Sequence, residues 1–471
     1  MNELNKTMCM NLCSVGFYLL LVACSSSDTA QDIVYDTQEH AFPNFSRHQF
    51  EVFSDDGAQT NAWGDYDSDG DLDLYVGFTS DPTTHNKLYE NQNNGEYFRD
   101  VSDSQGMNRS GTTRQPSFID YDGDGDLDLF VAFRDQPNRL YRNDLQAFVD
   151  VTDISGIGDS RRTVGAAWFD ADGDGDLDLF TANQNGDEDG FYLNLGNGSF
   201  EDVGADLGIN QPGRTATQGS VGVAVGDYDN DGDLDLYVAS YGPDLIWENQ
   251  NDTLGFIKIS SGEGFDGDHH SVAATFADYD NDGWLDLYVG TFISTIAEEP
   301  DYLFKNVHGD FHIVTPSLLL EKGTSHGIAW ADYDGDGDVD LAVANNHAEG
   351  THTLYRNELG PERARKSLQL AILDNQGRWT RAGATVTLSA STWNHSMEGQ
   401  PSYVSSRVVD TGGGYSSQGA TPVHFGIPSG IELVDLTIRW YENGMNIQTV
   451  SNLDHSLYAD RIFEIRLHPT P

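Results

Sequence analysis

Between Asp65 and Asp340 the chain repeats one acidic nonapeptide six times, with aspartates at its first, third and fifth positions, a glycine sixth and an aspartate ninth. The copies start at Asp65, Asp120, Asp170, Asp227, Asp278 and Asp332. Alternating carboxylates on a tight loop are a calcium pattern, because calcium takes about six to eight hard oxygen ligands. The expected side-chain ligands are Asp65, Asp67, Asp69 and Asp73 in the first loop and Asp120, Asp122, Asp124 and Asp128 in the second. Asp170, Asp172, Asp174 and Asp178 serve the third, and Asp227, Asp229, Asp231 and Asp235 the fourth. Asp278, Asp280, Asp282 and Asp286 serve the fifth, and Asp332, Asp334, Asp336 and Asp340 the sixth. The seventh position is expected to offer only a backbone carbonyl, from Asp71, Asp126, Asp176, Asp233, Trp284 and Asp338. Trp284 argues for that role, since indole is no ligand for a hard cation. Asp and Gly are also common in plain turns. Without a cation, however, each pair of carboxylates about 4 Å apart repels by about 4 kcal/mol at an effective dielectric near 20. The expected cofactor is therefore calcium, about six ions; magnesium, with its stricter octahedral demand, fits less well.

The elements that carry these loops repeat with them. Successive loop starts are 55, 50, 57, 51 and 54 residues apart, a period that belongs to propellers and similar arrays. A small, apolar run precedes each loop, such as Val164–Phe169, and an alternating run follows, such as Leu72–Val76. Period-two alternation predicts strands, so each loop is the turn of a hairpin. An aromatic-x-Asn triplet ends 22 to 28 residues after each loop start: Tyr89/Asn91, Tyr141/Asn143, Tyr192/Asn194, Trp247/Asn249, Phe304/Asn306 and Tyr355/Asn357. Fourth strands are predicted at Phe98–Val101, Phe148–Val151, Phe200–Val203, Phe256–Ile259 and Phe311–Val314. Four strands per repeat describe a propeller blade. No fourth strand follows Asn357, whereas an unmatched one, Phe50–Phe53, precedes the first repeat. Placing that strand in the last blade closes the ring and leaves no open sheet edge. The expected fold is thus an all-β, calcium-binding β-propeller of six blades, with a seventh only if later residues build one without a metal loop.

Acidic residues outnumber basic ones 76 to 25, for a net charge of -51, which excludes a phosphate-neutralising nucleic-acid binder. A hydrophobic content of 38% is too high for an acidic disordered chain. All three cysteines, Cys9, Cys13 and Cys24, fall in the first 24 residues, so the folded body has neither disulfides nor thiolate metal sites. The apolar run Val15–Ala23 is too short to span a bilayer comfortably and reads as a signal-peptide core. Leu21-Val22-Ala23-Cys24 resembles the bacterial lipobox, which implies lipidation at Cys24. An ordinary secretory signal cleaved near Ala23 is the alternative. The expected segments are a lipoprotein signal peptide over 1–23, a tether over 24–45, the propeller over 46–360 and a small β module over 361–471.

The loops and their flanking strands, over about residues 50 to 357, look like FG-GAP/VCBS repeats. That family is known from integrin α-subunit propellers and secreted bacterial proteins. The resemblance implies calcium in the loop between the first two strands of a blade; integrin propellers have seven blades, against six counted here. Gly383–Leu388, Gly412–Gln418, His424–Ile427 and Val434–Trp440 are similar to the ASPIC/UnbV module, which follows such repeats in the cartilage acidic protein family and its bacterial relatives. The charged stretch Pro361–Lys366 is the expected joint.

No catalytic elbow, phosphate-cradling loop or His-Glu-x-x-His helix is present. Basic residues do collect at the ends of strands away from the metal loops: Arg114, Arg162, Arg214, His269, His270 and His326 at the starts of first strands, Arg134 and His347, with Tyr241, at the ends of second strands. This face either binds an anion or merely caps loop backbones. The expected function is an exported scaffold for binding or adhesion, held by lipid at an outer membrane or cell surface, its partner an extracellular or periplasmic protein or glycan. The alternative is a calcium-dependent lyase acting on acidic polysaccharide, and a purely structural surface component is a third reading.

Overall fold

The computed structural model describes residues 52–53, 55–79, 84–92, 96–144, 147–250, 254–259, 269–292, 300–319, 325–345, 353–393, 403–410, 415, 417–418, 422–459 and 461–469. The expected signal segment and tether, with Cys24, lie outside these residues, as do Phe50, His347 and Gly412–Gly414.

In the first repeat β1 (Ala58–Gly64) runs up to Asp65 and β2 (Asp73–Phe78) starts at the ninth loop position. Gly64 pairs with Asp73, so the acidic loop is the hairpin turn. Two more strands, β3 (Lys87–Gln92) and β4 (Tyr97–Asp100), complete a sheet in the order β1-β2-β3-β4. Sheets of four strands in sequence order recur over the next four repeats, starting at Thr113, Thr163, Gly219 and Ser271. The sixth has three strands, Ser325–Ala331, Asp340–Asn345 and Thr353–Tyr355. The chain is therefore all-β, built of repeated sheets in a propeller-like succession.

First strands of successive sheets lie side by side, from β1 to Ser325–Ala331, and the sheets stack face to face. Each interface has its own apolar core. Between the second and third sheets, Trp168 meets Phe130 and Phe200 edge-on at 5.4 and 5.8 Å, all three buried. Burying one such ring contributes about 1.5–3 kcal/mol. Gly165 permits a close approach at the next interface, where a Cβ would stand 2.1 Å from the Val221 carbonyl oxygen.

The two ends of the array differ from its middle. Tyr333 and Leu354 of the sixth repeat are 52% and 56% exposed, whereas their counterparts Tyr66 and Leu88 of the first are 1% and 0%. Among the described residues no strand pairing joins the sixth sheet to the first. The strand expected at Phe50–Phe53 is not seen where it is described: Val52 and Phe53 form a turn. Phe53 instead packs against Tyr89 and Phe98 of the first sheet, with ring centroids 4.8 and 5.5 Å away, and that ring contact fixes its place.

After a one-turn helix at Pro361–Ala364 the chain forms a two-sheet sandwich. One sheet holds Val423–Gly426, Ser367–Leu373 and Phe463–Arg466; the other holds Val404–Val408, Thr385–Trp393, Ile431–Tyr441 and Met445–Asp454. Leu368, Leu388, Phe425, Leu436 and Trp440 lie in its core. From Gln49 onward repeats and sandwich form one compact unit.

The sandwich packs on the acidic loops and reaches all six. Arg378 donates to the Ser68 carbonyl at 2.7 Å, and the Asn443 N–H to that of Gly123 at 2.7 Å. Met445 packs on Gly175 in the third loop. The Ser406 N–H donates to Asp227 at 2.8 Å, the Tyr403 hydroxyl to the Gly283 carbonyl at 2.8 Å, and the Gln369 amide to Asp332 at 2.5 Å. From the same module Ser417–Gln418 adds a short parallel strand to β1, and the Gln418 side chain bonds both the N–H and the C=O of Phe118. A single module of this size touches six loops only if the loops converge.

Candidate metal centres

Each loop is held by its own first and ninth aspartates. At the sixth position glycine adopts a left-handed conformation, φ 99° at Gly70 and 104° at Gly232, which L side chains rarely tolerate. Its N–H donates to the first aspartate, as in Gly70 to Asp65 at 3.0 Å and Gly283 to Asp278 at 2.7 Å. The ninth aspartate is buried and accepts two backbone N–H groups. Asp73 takes those of Tyr66 and Asn91 at 3.1 and 2.8 Å, and Asp128, Asp178, Asp235, Asp286 and Asp340 repeat the pattern. The asparagine of each aromatic-x-Asn triplet does more. The Asn194 carboxamide donates to Leu177 of its own loop and to Tyr121 of the preceding loop, at 3.2 and 3.0 Å. Asn143, Asn249, Asn306 and Asn357 make the same bridge. Neighbouring loops are thereby tied together, a role that sequence reasoning missed although the triplet's fixed spacing was visible.

The carboxylates converge as a cation site requires. Asp65, Asp67 and Asp73 place ligand oxygens within 4.8 Å of one another, as do Asp120, Asp122 and Asp128, and Asp170, Asp172 and Asp178. In the fourth and fifth loops the groups are Asp227, Asp229 and Asp231, and Asp278, Asp280 and Asp282. Burial, reinforced by neighbouring carboxylates, pushes their proton affinities up. Asp65 and Asp67 rise to about 6, Asp170 and Asp278 to about 7, Asp227 to about 8 and Asp73 to about 9. Asp65 Oδ1 and Asp122 Oδ1 are buried with no hydrogen-bond partner. Acceptor-rich, donor-poor pockets of this kind fit a hard dication, and the first, third, fifth and ninth aspartates would hold it.

The loops are not equivalent, and one residue sets the difference. In the first, fourth, fifth and sixth repeats the middle residue of the aromatic-x-Asn triplet stands beside the loop aspartates, opposite in direction to its strand neighbours. Glu90 and Glu248 there add negative charge beside Asp67 and Asp229. Lys305 instead enters the fifth loop, with Nζ 2.5 Å from Asp280, 2.6 Å from Asp282 and 3.9 Å from Asp286. Arg356 lies 2.7 Å from Asp334 and 3.4 Å from Asp336 in the sixth. Trp284, at the seventh position of the fifth loop, turns its ring to His308 at 4.9 Å. Asp176 and Asp338, at the same position, are buried with one side-chain oxygen each lacking a partner.

A model of the FG-GAP-like repeat matches residues 65–131, 120–181, 170–238 and 227–289, and one named ASPIC and UnbV matches 377–460. The chain carries FG-GAP-like repeats followed by an ASPIC and UnbV domain. Cartilage acidic protein 1 of Mus musculus is 25% identical over 279 residues, 57% of this chain and 40% of that protein. The Homo sapiens protein is 25% identical over 279 residues, covering 57% and 39%, and the Xenopus tropicalis protein 23% identical over 273, covering 55% and 39%. The match thus spans about two-fifths of those relatives. Among solved structures, an Agrocybe aegerita lectin described as recognising non-reducing terminal N-acetylglucosamine aligns at TM-score 0.40 and 16% identity, over 64% of this chain and 81% of the lectin. The exotype rhamnogalacturonan lyase YesX aligns at TM-score 0.38 and 13% identity, over 86% and 73%.

Within this FG-GAP/ASPIC chain the expected basic face divides. Arg214 forms a two-pronged ion pair with the buried Asp189, and Arg162 lies 3.7 Å from Asp187. His269 hydrogen-bonds the Tyr302 hydroxyl at 3.2 Å, while His270 packs on Tyr241 with ring centroids 5.3 Å apart, so the two histidines diverge. These contacts give Arg162, Arg214 and His269 structural partners. Burial, with the charge of the Arg114 guanidinium adding to it, holds the His326 imidazole down to about 4.

Proposed function

We propose that this chain is an exported, calcium-loaded scaffold for binding or adhesion, a six-bladed ring whose metal face is capped by its own C-terminal domain. Exported acidic repeats fit the likeness to cartilage acidic protein 1. The observation that carries the reading is the pairing of six acidic loops, at least five with three convergent carboxylates, with one module that touches all six. Calcium in the loops would hold the carboxylates that the module grips, so metal, ring and cap form one cooperative unit. The propeller extends over 46–360, the cap over 361–471, and Cys24 carries lipid that holds the body at an outer membrane or cell surface. The partner is an extracellular or periplasmic protein or glycan, met on the face away from the cap.

Thermal unfolding tests this. Any ligand that binds only the folded state raises stability by mass action. Excess calcium is expected to raise the melting temperature and a chelator to lower it by at least about 10 °C, given six sites. An identical melt in both conditions contradicts the reading.

A further inference from the structure

Tyr415 of the cap lies against the first strands of the repeats, away from the acidic loops. Tyr415, just before the strand that pairs with β1, packs with Val164, Val221 and Val272 of three successive first strands. Its ring lies 5.1 Å from His326, which stacks on Phe292 at 6.1 Å; Phe292 in turn lies 6.0 Å from Tyr241. Arg114 and Arg134 act electrostatically on Tyr241, and Arg114 also on His326. Five repeats and the cap thus contribute to one cluster, in which Val164, Val221 and Val272 are buried while Arg114, Arg134, Tyr241, Phe292, His326 and Tyr415 are only partly buried.

Its charge is out of keeping with a chain of net charge -51. Among the described residues Arg114 pairs with no carboxylate, and its Nε is buried without an acceptor. Among the same residues, Arg134 donates only to the neutral Asn185 side chain, at 3.2 Å. By contrast Arg162 and Arg214, on the same side of the repeats, have acidic partners. A guanidinium presents a fork that matches a carboxylate. Aromatic faces beside it suit the C–H face of a pyranose, and neutral imidazole and phenol groups suit its hydroxyls.

We infer that Arg114, Arg134, Tyr241, Phe292, His326 and Tyr415 form an axial binding site for a single or terminal uronate residue. The acidity of the surrounding surface restricts the ligand to one short anionic unit rather than a long polyanion. The site lies away from the metal loops and stands or falls independently of their occupancy.

Saturation-transfer NMR and titration calorimetry on the full calcium-loaded chain test it, with methyl galacturonoside, methyl galactoside and acetate as probes. The galacturonoside is expected to bind, with galactoside and acetate each at least about tenfold weaker. Arg114→Gln and Tyr415→Ala should each weaken galacturonoside binding about tenfold or more, with Arg162→Gln unchanged. Melting curves of each variant report folding, and the Tyr415 variant carries the test if Arg114→Gln does not fold. No binding of galacturonoside, equal binding of galactoside or acetate, or unchanged affinity in both variants would overturn the inference. Loss of the calcium effect on melting with galacturonoside binding intact would sink the scaffold reading alone.

Discussion

At the scale of single residues, the side chain between an aromatic and an asparagine decides how strongly each loop attracts a cation. Lys305 neutralises part of the fifth loop with its own ammonium, so a metal must displace it, whereas Glu90 and Glu248 sharpen the first and fourth. The proposed calcium sites are therefore expected to be graded in strength, the fifth and sixth weakest. Lys305→Gln should tighten binding at the fifth loop by about tenfold, and Glu90→Gln should weaken the first by a similar factor, because removing one nearby charge changes the energy by about 1–2 kcal/mol after solvent screening. Calorimetric titration resolving strong and weak classes of site checks this; a wild-type-like isotherm in both variants would refute it. The asparagine bridges are open to a separate test. Asn194→Ala removes two donors from buried carbonyls and should cost about 1–3 kcal/mol in urea unfolding. The ninth aspartates and the triplets were legible because they recur at fixed spacing. Lys305 was not, since nothing in its local pattern separates a strand residue facing solvent from one facing loop aspartates 23 and 25 residues back.

At the scale of the element, the hairpin loop couples stability to pH. Without metal, the carboxyls of Asp65, Asp67, Asp170, Asp227, Asp278 and Asp73 hold their protons more tightly folded than unfolded, up to about 9. The folded state then binds more protons, so the stability these groups contribute is full below about pH 4 and is lost as pH rises through about 6 to 9. Chelated protein should therefore melt lower at pH 8 than at pH 5, while saturating calcium, which replaces the protons, should abolish or reverse that slope. Calcium addition at pH 6 should release protons, measurable with a weakly buffered indicator dye. A chelated protein whose stability rises over this range would contradict the arrangement of buried, unneutralised carboxyls. The strands flanking these loops were legible from alternation alone. The partners of Arg162 and Arg214 were not legible, because Asp187 and Asp189 sit in a connection outside the periodic pattern and their pairing leaves no trace in the repeat.

At the scale of the whole molecule, the C-terminal sandwich turns six local hairpins into one object. Its contacts join residues separated by up to 310 positions, such as Arg378 and Ser68 or Gln418 and Phe118, and no periodicity encodes them. That is why the module's strands could be read from sequence but its seat on the acidic loops could not. If metal and cap are one unit, calcium removal should expose the seam between them. Hydrogen exchange in excess chelator should then speed up at Ser406 and Asn443 as well as in the loops, whereas an unchanged cap would uncouple the two. The most direct test of calcium-filled loops under the cap is anomalous diffraction at long wavelength from crystals grown in millimolar calcium. Peaks among Asp65, Asp67 and Asp73 and in the corresponding loops, strongest in the first and fourth and faintest in the fifth, are the predicted result. Loops without anomalous density under those conditions would contradict it.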